Sequence, residues 1–251
     1  MGLPFISSQS RKLDQIVAID LGGQVTKAVH VQRKGDKLNL VSYAMLDSPQ
    51  AGNQPTKADL MADHLRNVFK AMSGNRPRQV TLAIGVQDTL FRQIEAPLMP
   101  VADLRQMLKF NAKSYLQQDL PHYVFDCFYA PSKNLPKAGD APKPSGSLPK
   151  SKVMVGGIKR ETLNALQAAV RGAGLIADQV IPGVLGPSNA FEHAEPELFR
   201  SESIALVDVG FKHTTITIVD GGEIVLNRVV SIGGDRLTIG LSEALKIGYL
   251  E

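Results

Sequence analysis

Cysteine is almost missing from this chain, and the single Cys127 excludes intrachain disulfides, zinc ribbons and CxxC redox chemistry. Long apolar runs are missing too, since none approaches the ~18–20 residues of a bilayer-spanning helix. The opening MGLPFISSQSRK has neither the leading positive charge nor the long apolar segment of a signal peptide. Ile6 stands where an N-myristoylation signal requires Ser or Thr. These absences predict a soluble cytoplasmic chain. His30, His64, His122, His193 and His213 form no HExxH or other metal spacing and read as structural or surface residues. Ser231 lies in no GxSxG elbow, which argues against serine hydrolase chemistry. Without RNP aromatics or zinc-finger spacing, nucleic acid is not an expected partner.

What is present is a globular composition. The 251 residues are 43% hydrophobic and 21% charged, which leaves room for one large or two small domains and rules out disorder. The net charge of +4 is local, because residues 131–152 (PSKNLPKAGDAPKPSGSLPKSK) hold five Lys and one Asp, leaving 23 basic against 23 acidic residues elsewhere. Five prolines with Gly and Ser predict a solvated basic loop there. Its weaker second reading is an electrostatic contact with anionic lipid or an acidic partner.

An internal repeat organises the chain. Residues 16–31 read IVAIDLGGQVTKAVHV and residues 204–219 read IALVDVGFKHTTITIV. In each, an apolar strand runs into Asp, a Gly follows two residues later, and a polar turn leads into a second apolar strand. Gly35-Asp36 and Gly221-Gly222 then open a third strand, so both ends predict three-strand meanders. Between them, 57–73 carries a helical face of Leu60, Met61, Leu65, Val68, Phe69 and Met72, followed by a strand at 79–86. A strand at 90–97, a helix from Pro100 to Leu116, strands at 122–130 and 151–158, and a helix at 161–171 predict a small inserted module over 90–174. Strand 90–97 is expected to give that module an exposed apolar flank.

One Asp-x-Gly turn is ordinary turn chemistry. Two in matched strand contexts predict facing hairpins whose backbone N–H groups share an anion, with Asp20 and Asp208 holding hydrated Mg²⁺ between them. Gly22, Gly23 and Gly210 let the backbone approach phosphate oxygens, and Lys27 is placed to reach back to a phosphate as a point charge.

DLGGQVTK resembles the phosphate-1 loop of the actin, Hsp70 and sugar-kinase superfamily, and DVGFKHTT resembles its phosphate-2 loop. SIGGDRLT (231–238) is similar to the Gly-rich turn that opens the next helix in those proteins. Within the superfamily, the module at 90–174 resembles the small subdomain of the cell-division protein FtsA and of the pilus-assembly PilM family, and MLKFNAKSYLQQDLPHYVFDCFYA is closest to PilM. Phe211 and Gln24 depart from the usual small residues of these loops.

The resemblance implies an α/β fold of actin/Hsp70-like (ribonuclease H-like) subdomains. The first is formed by 1–90 and 175–200, an SHS2-like α+β module is inserted at 90–174, and a second domain starts at 201–251. That second domain is expected to be incomplete, with the adenosine motif beyond Glu251. The resemblance further implies ATP and Mg²⁺ as cofactors, bound weakly if at all by these 251 residues. Contacts come from Gly22, Gly23, Gln24, Val25 and Lys27 in the first loop, from Gly210, Phe211, Lys212 and His213 in the second, and from Gly233 and Gly234 at the helix N-terminus. Asp208 is the candidate for polarising an attacking water, in an ATPase that is slow at most. The implied role is a scaffold of type IV pilus or related secretion assembly, peripheral to a bacterial inner membrane. Its expected partners are a PilN-like N-terminal peptide, pilus motor and alignment proteins, and a further copy of itself. An FtsA-like membrane tether and a sugar-kinase-type ATPase are the alternatives.

Overall fold

A computed structural model describes residues 14–35, 37–49, 58–130 and 150–248. Among the described residues there are three separate sheets, and the two repeats open two of them.

The first repeat supplies β1 (Gln15–Leu21), β2 (Val25–Lys34) and β3 (Lys37–Asp47), paired antiparallel in sequence order. The alternation of β1 sends Val17 and Ile19 inward, where they are 1% and 0% exposed. After α1 (Ala58–Ala71), β4 (Gln79–Ile84) lies parallel to β1, and β8 (Ile176–Pro182) lies parallel to β4. The result is a five-stranded sheet of order β3-β2-β1-β4-β8. Helix α1 closes its core with Leu65, Val68 and, just beyond it, Met72. Leu60, expected on that face, lies in the first turn ahead of the contacting stretch and is exposed.

The second repeat supplies β9 (Ser203–Val209), β10 (Thr214–Asp220) and β11 (Glu223–Val230), again an antiparallel meander in a sheet of its own. Gly221 and Gly222 both hold positive φ, which the tight β10–β11 turn requires. The two repeats differ in cover. Val207 and Val209 stand at the places of Ile19 and Leu21 in the repeat, yet they are 58% and 66% exposed. Helix α6 (Asp235–Leu245) has no buried residue.

The third sheet has the order β5-β7-β6, from β5 (Thr89–Pro97), β6 (Tyr123–Tyr129) and β7 (Lys150–Lys159), with α2 (Val101–Leu116) on one face. Leu104 and Leu108 of α2 pack on Ile94, Ala96, Val153 and Val155. Each such fully buried leucine contributes on the order of 1.5–3 kcal/mol. Tyr129 fixes the β5–α2 corner, its hydroxyl accepting from Met99 N at 2.8 Å and donating to Met99 O at 2.7 Å.

On the opposite face, Phe91, Phe128 and Met154 share a core with Val184, Leu185, Phe199, Val219 and Ile224. The apolar flank expected on strand 90–97 is therefore buried: Phe91, Ile94 and Ala96 divide between the two cores instead of facing solvent.

Two further differences from the sequence reading have physical causes. The helix grouped with the inserted module, α3 (Arg160–Gly172), packs against α1, and its Leu166, Ala169 and Val170 join the core of the first sheet. Arg66 of α1 ties the pair by donating to Gly172 O at 2.8 Å. Of the basic loop 131–152, residues 131–149 lie outside the described residues, and 150–152 already belong to β7, where Lys150 pairs with Pro97 and Lys152 with Glu95.

Between α1 and β2 the core holds a polar contact, buried His64 Nε2 to Thr26 Oγ1 at 2.8 Å. Burial lowers the His64 pKa from its ordinary 6.5, so the folded chain takes up this proton less readily than the unfolded one. The stability that neutral His64 allows is present above pH ~6.5 and falls as pH drops below that value. In urea titrations between pH 8 and 5, His64→Gln, which can keep a bond to Thr26, should flatten this loss. An unchanged pH slope would locate the acid sensitivity elsewhere.

Candidate functional site

Three parallel strands end together. Leu21 of β1 is in register with Ile84 of β4, and Ile84 with Pro182 of β8. The next residues are Gly22, Gly85 and Gly183. The carboxyl ends of parallel strands are where open α/β sheets bind ligands. A Cβ on Gly183 would come within 2.9 Å of Ile84 O and 3.9 Å of Asp20 Oδ1, so this glycine allows the strand ends to converge beside the aspartate.

The two hairpins are built alike. A Cβ on Gly22 would meet Val25 O at 2.4 Å, and one on Gly210 would meet His213 O at 2.8 Å. These are the same offsets from Asp20 and Asp208, so both glycines are required by tight turns of the same design. Gly210 N donates to His213 O at 3.0 Å, while Gln24 O accepts from Ser48 N at 2.7 Å and anchors the end of β3. The hairpins meet across the gap between their sheets: a Cβ on Gly23 would lie 3.9 Å from the Phe211 Cβ. Phe211, the bulky departure in the second loop, thus packs toward the first loop.

Asp20 and Lys27 are cross-strand partners, with Lys27 Nζ 3.9 Å from Asp20 Oδ2 and the two side chains 59% and 44% exposed for Lys27 and Asp20. A pair this exposed contributes little stability. Burial pushes the Asp20 carboxyl above its ordinary range; the Lys27 charge opposes the shift, and the Asp208 charge adds to it. The two repeat aspartates therefore feel one another across the gap. Among the described residues no group of three or more His, Cys, Asp or Glu could hold a metal ion directly.

The Gly-rich turn does something other than offer free donors. Gly234 N donates to Gly210 O at 2.9 Å and Asp235 N to Phe211 O at 3.0 Å, so these N–H groups clasp the second hairpin instead of facing a phosphate. Gly233 is buried against that hairpin, and a Cβ there would sit 2.1 Å from Phe211 O.

Two residues at this junction escaped the sequence reading. Gly183 had a signal in Pro182-Gly183 at a strand end, easily taken for an ordinary turn. Asp88, in the turn between β4 and β5, had none. Burial pushes its carboxyl up, opposed by Gln87, Lys159 and His213. Asp126 accepts from Arg105 Nε at 2.7 Å and lies on β6 in the third sheet.

No helix among the described residues is long and apolar enough to cross a membrane. Comparison with curated protein sequences gives no match. Among solved structures, the chain is similar to a PilM-PilN type IV pilus biogenesis complex, with TM-score 0.74 and 17% identity over 95% of this chain and 68% of that one. It is also similar to the ethanolamine utilization protein EutJ from Carboxydothermus hydrogenoformans, with TM-score 0.52 and 14% identity over 95% of this chain and 59% of that one. A third is the cytoplasmic domain of EpsL, an inner membrane component of the type II secretion system of Vibrio cholerae, with TM-score 0.52 and 12% identity over 94% and 77%. At such identities the likeness speaks to the fold, which is the actin-like ATPase fold. The family described as type IV pilus assembly protein PilM matches residues 18–249, nearly the whole chain that carries the paired hairpins, and this protein belongs to that family.

Proposed function

We propose that this chain is a cytoplasmic scaffold of type IV pilus assembly that uses a nucleotide as a conformational ligand and captures the cytoplasmic N-terminus of a PilN-like inner-membrane protein. The observation that carries the reading is the pair of like-built hairpins, from separate sheets, meeting through Gly23 and Phe211 with Asp20 and Asp208 within electrostatic reach. The glycines at 22, 183 and 210 let the strand ends and turns close tightly, and the backbone N–H groups of such turns suit phosphate oxygens. Two carboxylates suit a hydrated Mg²⁺ held through water. Such an ion would neutralise phosphate charge between the hairpins. Lys27, now beside Asp20, would supply a further positive charge to a bound anion.

Turnover is not part of the proposal. A ligand held by both hairpins would favour one arrangement of the two sheets over others, which is what a scaffold needs from it.

The partner reading rests on family membership and on the pilus complex to which the fold is similar. Titration of the fluorescently labelled N-terminal peptide of the PilN-like protein from the same genome tests it. Saturable binding, lost to excess unlabelled peptide and absent for a scrambled sequence, is the expected result. Equal binding of the scrambled peptide would refute capture of that segment.

A further inference from the structure

Helix α2 shows opposite chemistry on its two sides. Its inner stripe, Leu104, Leu108, Ala112 and Leu116, recurs every four residues and is buried on the third sheet. On the outer side Lys109, Phe110 and Lys113 are exposed, and Phe110, at 75%, is the most exposed large apolar side chain among the described residues. From Leu104 to Gln118 (LRQMLKFNAKSYLQQ) the sequence holds three cations and no carboxylate. Arg105 is taken up by Asp126 of β6, its Nε 2.7 Å from Oδ1. Lys109 and Lys113 have no ion-pair partner among the described residues.

As a plain solvent face, this outer side is costly. Lys109 and Lys113 stand four residues apart, where like charges repel across one helical turn and destabilise the helix. A phenylalanine left in water between them forgoes the gain of burial. Lys109 Nζ lies 5.5 Å from the Phe110 ring centroid, so aromatic and cation project as one unit. An anionic surface with an apolar layer beneath it answers both costs: the lysines meet headgroup phosphates, and the ring enters at the boundary with the acyl chains. A peptide is less suited, because peptides dock in grooves or on free sheet edges, and this is the convex back of a helix.

We propose that the outer side of α2 docks on an anionic lipid surface, with Lys109 and Lys113 on the headgroups and Phe110 inserted between them. Each lysine brought to such a surface adds about fivefold in affinity, and the surface charge relieves the repulsion between the two. The paired hairpins lie on the first two sheets and α2 on the third, so this contact uses none of their residues.

Co-sedimentation of the intact chain with vesicles tests this, using phosphatidylcholine alone and phosphatidylcholine with about one-third phosphatidylglycerol, at about 0.05 and 0.5 M salt. Binding to the anionic vesicles at low salt, lost at high salt and absent on phosphatidylcholine alone, is expected. Lys109→Gln/Lys113→Gln should weaken it about 25-fold, and Phe110→Ala about tenfold. Both variants should melt at the wild-type temperature or above, since one removes a like-charge pair and the other introduces a better helix former. Phe110→Trp should keep the binding. A Gly-Ser linker of equal length in place of 131–149, the Lys-containing loop of the same module, should leave it unchanged. No binding, or equal binding to both kinds of vesicle, overturns the proposal. So does full binding by the glutamine pair or by Phe110→Ala, and so does loss of binding on replacing 131–149, which moves the contact to that loop. A chain that ignores vesicles but binds poly-glutamate through Lys109 and Lys113 assigns the face to an acidic protein and equally overturns lipid docking.

Discussion

Gly233→Ala should destabilise the second sheet by about 2–4 kcal/mol and loosen its hairpin, the largest effect expected of a methyl added at any of the described glycines. The added Cβ would stand 2.1 Å from Phe211 O, 2.4 Å from Phe211 C and 2.7 Å from Lys212 C. All three are backbone atoms, so no rotamer change relieves the clash and the turn must move away from the hairpin. That movement breaks the bonds from Gly234 N to Gly210 O and from Asp235 N to Phe211 O, at 2.9 and 3.0 Å. It leaves two carbonyls of the hairpin without their donors. Gly240, inside α6 with nothing within 4 Å of its would-be Cβ, is the matched control. There Ala should stabilise by about 0.5–1 kcal/mol, because it costs less backbone entropy in a helix than Gly. Thermal melts report the two signs, and hydrogen exchange across 203–230 locates the change. If Gly233→Ala melted like the wild type, the clasp between α6 and the hairpin would have no energetic weight.

Much of this architecture is legible in the residues because local chemistry and global fold agree. Val17 and Ile19 alternate as a buried strand, Gly221-Gly222 dictates a tight turn, and the offsets Asp20 to Gly22 and Asp208 to Gly210 repeat in sequence and in geometry. What is not legible depends on contacts between distant segments. The apolar stripe of α3 is correct for a helix, but periodicity does not say which sheet receives it, and it docks on α1. Strand 90–97 reads as a strand with an apolar face, and only the fold shows that both its faces are covered. The Gly-rich turn illustrates the same limit at the candidate site. The sequence announces a helix N-terminus with free donors, whereas Gly234 and Asp235 spend theirs on the neighbouring hairpin. Lys27 reads as a cation at the start of its strand, and the strand register adds that it faces Asp20 across the ladder.

In the full-length protein, Asp20→Asn should lower Mg-ATP affinity at least tenfold while leaving the thermal midpoint unchanged or slightly higher. The carboxylate is partly desolvated and near Asp208, and both facts push its pKa up against the opposing Lys27 charge. A carboxyl whose folded pKa lies above its unfolded value adds stability when protonated, at pH below the unfolded value. It loses that advantage as pH rises through the folded value. At neutral pH the ionised side chain is thus a cost to the fold, and a neutral isostere removes it. A cation between the hairpins needs that ionised form, so wild-type affinity should climb as pH rises through the Asp20 titration, and Asp20→Asn should show no such climb. Asp208→Asn should likewise lose affinity. Lys27→Ala should weaken binding less, since an exposed lysine contributes a single screened charge. Were the aspartates only capping their turns, the pattern would reverse, with midpoints falling and affinity unchanged. Isothermal titration at pH 5, 6 and 7.5, paired with thermal melts of the same samples, separates the two patterns. A lowered midpoint with intact affinity for Asp20→Asn would remove the paired hairpins from the nucleotide reading.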